Sequence, residues 1–141
     1  VVSALTAAAH PDWVRAMALS SPAFSLADDA RKLFGSADEI PEQYFHLMMN
    51  VGRDYFASVY DFDPIDAAKS YPGDVLIFHG DRDTLVPIDY SRRAAESFPN
   101  AMLQVLSGEG HMYSGQAVRQ TIDSISDFFY THLGKAAMPQ S

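Results

Sequence analysis

The sequence VLIFHGDRDTLVP occupies residues 75–87 and carries the most informative pattern in the chain. Its first four residues form a continuous apolar run with β-branched and aromatic side chains, which is typical of a strand buried on both faces. Gly80 allows a sharp turn after this run, and Pro87 favours the start of a helix. Two carboxylates, Asp81 and Asp83, lie between them. Because functional groups of open parallel sheets follow the C-terminal ends of the strands, we predict that one of these acids belongs to a site.

Two further strands are predicted, one on each side of this run along the chain. The earlier strand covers residues 13–19 and follows a helix over residues 1–9. The later strand covers residues 102–106 and follows a helix over residues 88–98, and a last helix begins at Ser114. Helices that alternate with buried strands predict parallel pairing through right-handed crossovers. The predicted fold class is therefore α/β, with three parallel strands and flanking helices.

The segment between the first two strands is longer than an ordinary crossover connection. Its apolar spacing and turn residues predict short helices over residues 25–35, 41–52 and 64–69, with an aromatic-rich stretch between the last two. We interpret this segment as a cap inserted into the α/β core. The predicted division is a core of residues 1–24 and 72–135, a cap of residues 25–71 and a tail of residues 136–141.

The composition narrows the classes of function. A chain of 141 residues with 48% hydrophobic residues can bury the core of one domain. The formal net charge of −8 argues against nucleic acid or an anionic membrane as a partner, since both need a basic surface. The absence of cysteine excludes disulfides, thiolate metal sites and a cysteine nucleophile. No apolar run is long enough to span a membrane. The sequence does not determine the oligomeric state. It does not determine the compartment either, although it slightly favours the cytoplasm.

A second candidate site residue follows the last predicted strand. Residues 107–111 read SGEGH, a glycine-rich loop that carries His111. Neighbouring parallel strands lie about 5 Å apart and end at the same edge of the sheet, so Asp83 and His111 can meet. An aspartate that accepts from one imidazole nitrogen fixes the tautomer and leaves the other nitrogen free as a general base. No pair of histidines has metal-ligand spacing, and we predict no metal site.

These two loops resemble those of the α/β-hydrolase superfamily. The sequence HGDRDTLVP at residues 79–87 resembles the acid loop, with Asp83 at the acid position, and GEGH at residues 108–111 resembles the histidine loop. The family order is serine, acid, histidine, which agrees with Asp83 before His111. Residues 1–22 resemble the helix and strand that follow the nucleophile elbow. The resemblance implies a serine hydrolase of carboxylic esters, an acyl-enzyme mechanism without a cofactor, and catalytic roles for Asp83 and His111.

The chain departs from the family at the nucleophile. No Gly-x-Ser-x-Gly occurs in the 141 residues, and the first residue is Val1, within an apolar run. The resemblance implies that the elbow lies a few residues before Val1, in an N-terminal half that is missing here. We therefore expect that half of the same fold as a partner. Residues 1–141 alone are predicted to be inactive.

Within the family, residues 51–87 look most like small carboxylesterases of the cinnamoyl or feruloyl esterase type. In these proteins a short insertion before the acid strand covers the acyl pocket. The likeness implies that Tyr55 contacts a small-molecule ester substrate. Packing within the cap is the alternative role for this side chain.

Other interpretations stay open on the sequence alone. Asp81 and Asp83 match the Asp-x-Asp pattern of haloacid-dehalogenase-type phosphatases, although Leu85 stands at a Thr or Val position and the only later lysine is Lys135. A non-catalytic α/β fragment or binding module is a second alternative. Asp81 alone suits a turn, and His79 is predicted to pack or to form hydrogen bonds beneath the site.

Overall fold

The computed structural model describes residues 1–133. In chain order its elements are α1 (Val2–Ala9), β1 (Ala16–Ser20), α2 (Leu26–Leu33), a 3-10 helix (Ala37–Glu39), β2 (Gln43–His46), β3 (Met49–Gly52), α3 (Arg53–Tyr60), α4 (Pro64–Ala68), β4 (Asp74–Gly80), α5 (Asp89–Ser97), β5 (Ala101–Leu106) and α6 (Gly115–Leu133). The predicted tail and the last two residues of the predicted core lie outside the described residues. Within residues 1–133, no helix is both long and apolar enough to cross a bilayer.

The main sheet has three parallel strands in the order β1-β4-β5. In the centre of the sheet, Ile77 of β4 pairs with Leu19 of β1 and with Leu103 of β5. A central parallel strand is covered on both faces, which requires apolar side chains at successive positions. Residues 75–78 meet this requirement and are buried. The predicted α/β class with three parallel strands is therefore confirmed.

Alternate side chains of β4 belong to two hydrophobic cores, one on each face of the sheet, since successive residues of a strand point to opposite faces. Val75 and Ile77 belong to the core shared with α1, α4 and α5. Leu76 and Phe78 belong to the core on the opposite face, where Phe128 of α6 joins them. This layering leaves the C-terminal end of β4 open for the loops that follow.

The first strand is shorter than predicted. β1 begins at Ala16, and Trp13 lies before it with 76% of its surface exposed. The indole ring stacks on the imidazole of His10, with 4.1 Å between the ring centroids. The Trp13 amide donates to the His10 carbonyl at 3.0 Å, so a turn occupies residues that a hydrophobic pattern assigned to the sheet.

The predicted helix over residues 41–52 is wrong, because this stretch forms an antiparallel hairpin of β2 and β3. The two residues of its turn, Leu47 and Met48, have φ angles of 45° and 70°. Two-residue hairpin turns need such left-handed backbone angles and usually recruit Gly, Asn or Asp to supply them. The sequence has a helical apolar spacing here and no Gly, Asn or Asp at the two turn positions, so it gave no local signal for the hairpin.

A third core lies inside the segment predicted as a cap. Its buried residues are Ala30 of α2, Phe34 and Ile40 of the segment that follows, and Phe56 and Tyr60 of α3, and Tyr44 of the hairpin packs against them. The rings of Phe34 and Phe56 meet edge to face, with 5.1 Å between their centroids, an arrangement that aromatic quadrupoles favour. The aromatic-rich stretch is thus the helix α3. Its function as a cap stays a prediction.

Candidate active site

The loop between β4 and α5 holds the carboxylate of Asp83 in a fixed orientation. Its side chain is fully buried. The Oδ1 atom accepts hydrogen bonds from the backbone amides of Leu85 and Val86, each at 2.9 Å. An aspartate that bonds to amides two and three residues further on forms a compact turn. The same bonds leave Oδ2 to face the neighbouring loop.

His111 meets this oxygen. Its Nδ1 atom lies 2.8 Å from Asp83 Oδ2, and its side chain is 34% exposed. Since an ionised carboxylate only accepts, Nδ1 carries the proton of this hydrogen bond. The other ring nitrogen, Nε2, forms no hydrogen bond with any residue in the range 1–133. A neutral imidazole held in this way presents a basic nitrogen to solvent and to any bound molecule.

The environment of Asp83 favours its charged form. Burial by itself would raise the pKa of this carboxyl group. Hydrogen bonds from the Val86 amide, the His111 ring and the Leu85 amide outweigh burial and hold the pKa below its usual range. The carboxylate is therefore ionised at neutral pH and can stabilise positive charge on His111.

Backbone and side-chain bonds join the two loops directly. The Asp81 carboxylate accepts from the Gly108 amide at 2.7 Å, and the Arg82 amide donates to the Glu109 carbonyl at 2.9 Å. A Cβ atom on Gly80 would lie 2.3 Å from that same carbonyl oxygen. Gly80 therefore allows the two loops to approach closely, because a side chain at this position would clash with the backbone of the other loop. Asp81, predicted as a turn residue, also bridges them.

Glu109 forms contacts within the loop of His111 that the sequence did not predict. Its carboxylate accepts from the backbone amide and from the hydroxyl of Ser114, at 2.6 and 2.7 Å. These bonds lower the pKa of Glu109 and close the loop that carries His111. The Ser114 hydroxyl also accepts from the Ala117 amide at 3.3 Å, which caps the start of α6. An acid five residues before a capping serine is too loose a pattern to detect in advance.

Tyr113 links this loop to the end of β1. Its hydroxyl lies 2.9 Å from the Ser21 hydroxyl and 3.1 Å from that of Ser20. It also donates to the Phe78 carbonyl at 3.2 Å. Both serines are thus engaged in structural contacts beside the sheet edge, and neither faces His111 through a hydrogen bond in the described part of the chain.

A cavity of about 400 Å³ opens beside His111. Its wall brings together the acid loop at Leu85 and Val86, helix α3 at Tyr55, and the hairpin at Leu47. Most of the lining is apolar, which suits a small organic ligand. Two of the residues predicted for the site, His111 and Tyr55, line this cavity. The third, Asp83, contacts His111 from behind the cavity wall.

The phosphatase alternative gains no support from this arrangement. Asp83 is engaged with His111, and Asp81 is engaged with a backbone amide of the neighbouring loop. Among residues 1–133, no cluster of three or more His, Cys, Asp or Glu side chains is arranged to hold a metal ion.

Solved structures similar to this chain are α/β-hydrolases, and the described residues have the fold of the C-terminal part of that class. One of them is Est1E from Butyrivibrio proteoclasticus, solved with bound ferulic acid, which is 25% identical with a TM-score of 0.83. The match covers 94% of this chain and 55% of that one. The chain thus spans about half the length of Est1E, and its resemblance to α/β-hydrolases is confirmed.

Two more distant structures share only the fold. A monoacylglycerol lipase from Paleococcus ferrophilus is 17% identical with a TM-score of 0.65, over 92% of this chain and 65% of that one. The α/β-hydrolase domain-containing protein 10 from mouse is 15% identical with a TM-score of 0.72, over 92% and 58%. No protein-family model matches the chain, and a search of curated proteins finds no match either.

Proposed function

We propose that this chain forms the acid- and histidine-bearing part of a serine hydrolase that acts on carboxylic esters. The observation that carries the proposal is the Asp83–His111 pair, joined at 2.8 Å, with His111 in the wall of a largely apolar cavity. Est1E with its bound ferulic acid and the monoacylglycerol lipase, both among the similar structures, support ester hydrolysis as the class of reaction. The nucleophile is a serine of the complete protein that precedes Val1.

In this mechanism His111 moves one proton in each half-reaction. Nε2 takes the proton of the serine hydroxyl as the serine oxygen bonds to the ester carbonyl carbon. The protonated ring then gives the proton to the leaving alcohol as the ester C–O bond breaks, which leaves an acyl-enzyme. Water repeats the sequence and releases the acid. Asp83 stays ionised throughout and stabilises the imidazolium.

The proposed substrate carries an aromatic or otherwise apolar acyl group. The cavity beside His111 has a largely apolar wall that includes the rings of Tyr55 and Phe56. Est1E, the 25% identical structure, is recorded with ferulic acid, an aromatic acid. A hydroxycinnamoyl ester therefore fits the chemistry of this cavity better than a charged acyl group.

The first test uses the complete protein encoded around this chain. A fluorophosphonate probe is expected to label one serine within a Gly-x-Ser-x-Gly upstream of Val1, and methyl ferulate to be hydrolysed. Mass spectrometry of the labelled peptide locates the serine, and spectrophotometry follows the ester. Absence of both labelling and turnover on hydroxycinnamoyl and short-acyl esters would overturn the proposal in favour of a binding module.

Tyr55→Ala is expected to raise KM for methyl ferulate about tenfold with a smaller change in kcat. The ring lines the cavity and is 46% exposed, so its loss removes one apolar contact of the order of 1 kcal/mol with an aromatic acyl group. Steady-state kinetics measures both parameters. Tyr130→Ala is the matched control, because Tyr130 is 47% exposed on α6 and does not line the cavity. Equal KM values for the two variants would remove Tyr55 from the substrate site.

A further inference from the structure

His79 is a fully buried histidine that the proposed reaction does not use. It lies near the end of β4, one residue before Gly80, and its side chain has no exposed surface. Its Nε2 atom forms a hydrogen bond with the Val86 carbonyl at 2.9 Å and lies 3.2 Å from Asp83 Oδ2. Its Nδ1 atom lies 2.6 Å from the hydroxyl of Ser91, a buried residue of α5.

These neighbours determine where the ring carries its proton. The two groups near Nε2 are a carbonyl oxygen and a carboxylate oxygen, and both can only accept hydrogen bonds. Nε2 must therefore be protonated, because a lone pair there would face two acceptors in a buried site. In the neutral ring Nδ1 then accepts from the Ser91 hydroxyl. Ser91 of helix α5 thus fixes the orientation of the His79 ring through Nδ1.

Residue Val86 links His79 to Asp83 through the two peptide groups on either side of its Cα atom. Its carbonyl accepts from His79, and its amide donates to Asp83 Oδ1 at 2.9 Å. The protonated edge of His79 also faces Oδ2, the oxygen that His111 contacts. His79 therefore acts on both oxygens of the buried carboxylate, on Oδ1 through Val86 and on Oδ2 by lying 3.2 Å from it.

We propose that His79 is a positioning residue, which holds the acid loop through Val86 and keeps the Asp83 carboxylate aimed at His111. This proposal rests on the proposed function for its effect on turnover. Its structural part concerns the Asp83–His111 hydrogen bond alone, and that bond can be observed whether or not an ester is hydrolysed.

Two amide variants separate donation at Nε2 from simple filling of the site. In His79→Gln the amide nitrogen can reach the position of Nε2 and still donate to Val86. In His79→Asn the shorter side chain brings its amide only as far as the position of Nδ1. We expect the Gln variant to retain most of kcat, and the Asn variant to lose about ten- to hundredfold in kcat with KM unchanged, since small misplacements of catalytic groups have effects of this size.

Proton NMR of the complete protein supplies a readout that does not depend on activity. The hydrogen-bonded Nδ1 proton of His111 is expected to give a downfield signal in the wild type and in His79→Gln, and to broaden or disappear in His79→Asn. Similar unfolding temperatures of the two variants would show that both are folded. Identical signals and identical kcat in both variants would overturn the proposal and leave His79 a packing residue.

A measurement on the wild type covers the case in which the Asn variant does not fold. The 15N shifts of the His79 ring are expected to show a protonated Nε2, and a neutral ring protonated only at Nδ1 would overturn the proposal. If the wild type hydrolyses no ester while the His111 signal still differs between the two variants, positioning by His79 stands and the proposed reaction fails.

Discussion

Replacing His111 with glutamine is expected to lower kcat of the complete protein for ester hydrolysis by about 10⁶-fold. The ring supplies the base that activates the serine and the acid that protonates the leaving alcohol. A glutamine amide can do neither, although it has a similar size. Because His111 is 34% exposed and lies in the loop between β5 and α6, the fold should tolerate the change. Steady-state kinetics and an unfolding curve together measure the effect.

His10→Gln is the matched control for this variant. His10 stacks on Trp13 in the turn before β1 and contributes nothing to the cavity beside His111. Its replacement should leave kcat and KM at the wild-type values. If His111→Gln retained more than a few per cent of the wild-type kcat, another group would have to be the proton acceptor.

Asp83→Asn is expected to lower kcat by about 10⁴-fold. The amides of Leu85 and Val86 both donate to the Oδ1 position, so the asparagine oxygen should occupy that position. Its NH₂ group then faces Nδ1 of His111 and makes that nitrogen an acceptor. The proton of the ring moves to Nε2, and the nitrogen that should act as the base is blocked.

Asp127→Asn is the control for removal of one carboxylate, since Asp127 is exposed on α6 away from the cavity. It should retain the wild-type kcat. Equal kcat values for Asp83→Asn and Asp127→Asn would show that His111 does not need the acid, and the proposed pair would lose its function.

The same Asp83→Asn variant should also change the response of stability to acid. The pKa of Asp83 is lowered in the folded protein, so the ionised group stabilises the fold at pH values above its ordinary pKa. This contribution is lost as the pH falls through the lowered pKa. The free energy of unfolding should therefore fall less steeply between about pH 5 and pH 2 in the variant than in the wild type. Denaturant unfolding at several pH values measures this slope.

Some predictions followed from the sequence because their causes are local. The apolar run at residues 75–78 needs to be buried on both faces, which predicted a buried strand. The structure has it as the central strand of the sheet. Asp83 and His111 follow adjacent parallel strands, and such strands end at one edge. The predicted helix over residues 41–52 is wrong because the backbone turns at Leu47 and Met48. Neither is a residue type that favours such a turn, so the local sequence did not indicate it.

The α/β class, the parallel strands and the proximity of an acid to a histidine were predictable from the sequence, since periodicity and strand direction are properties of short segments. Which atoms form the contacts depends on the packing of the whole fold. Three examples are the packing of Gly80 against the Glu109 carbonyl, the hydrogen bonds between Glu109 and Ser114, and the contacts of His79. Each joins residues that are distant in the chain or separated by a turn. Contacts of this kind depend on the distances between packed segments, and no local sequence pattern encodes those distances.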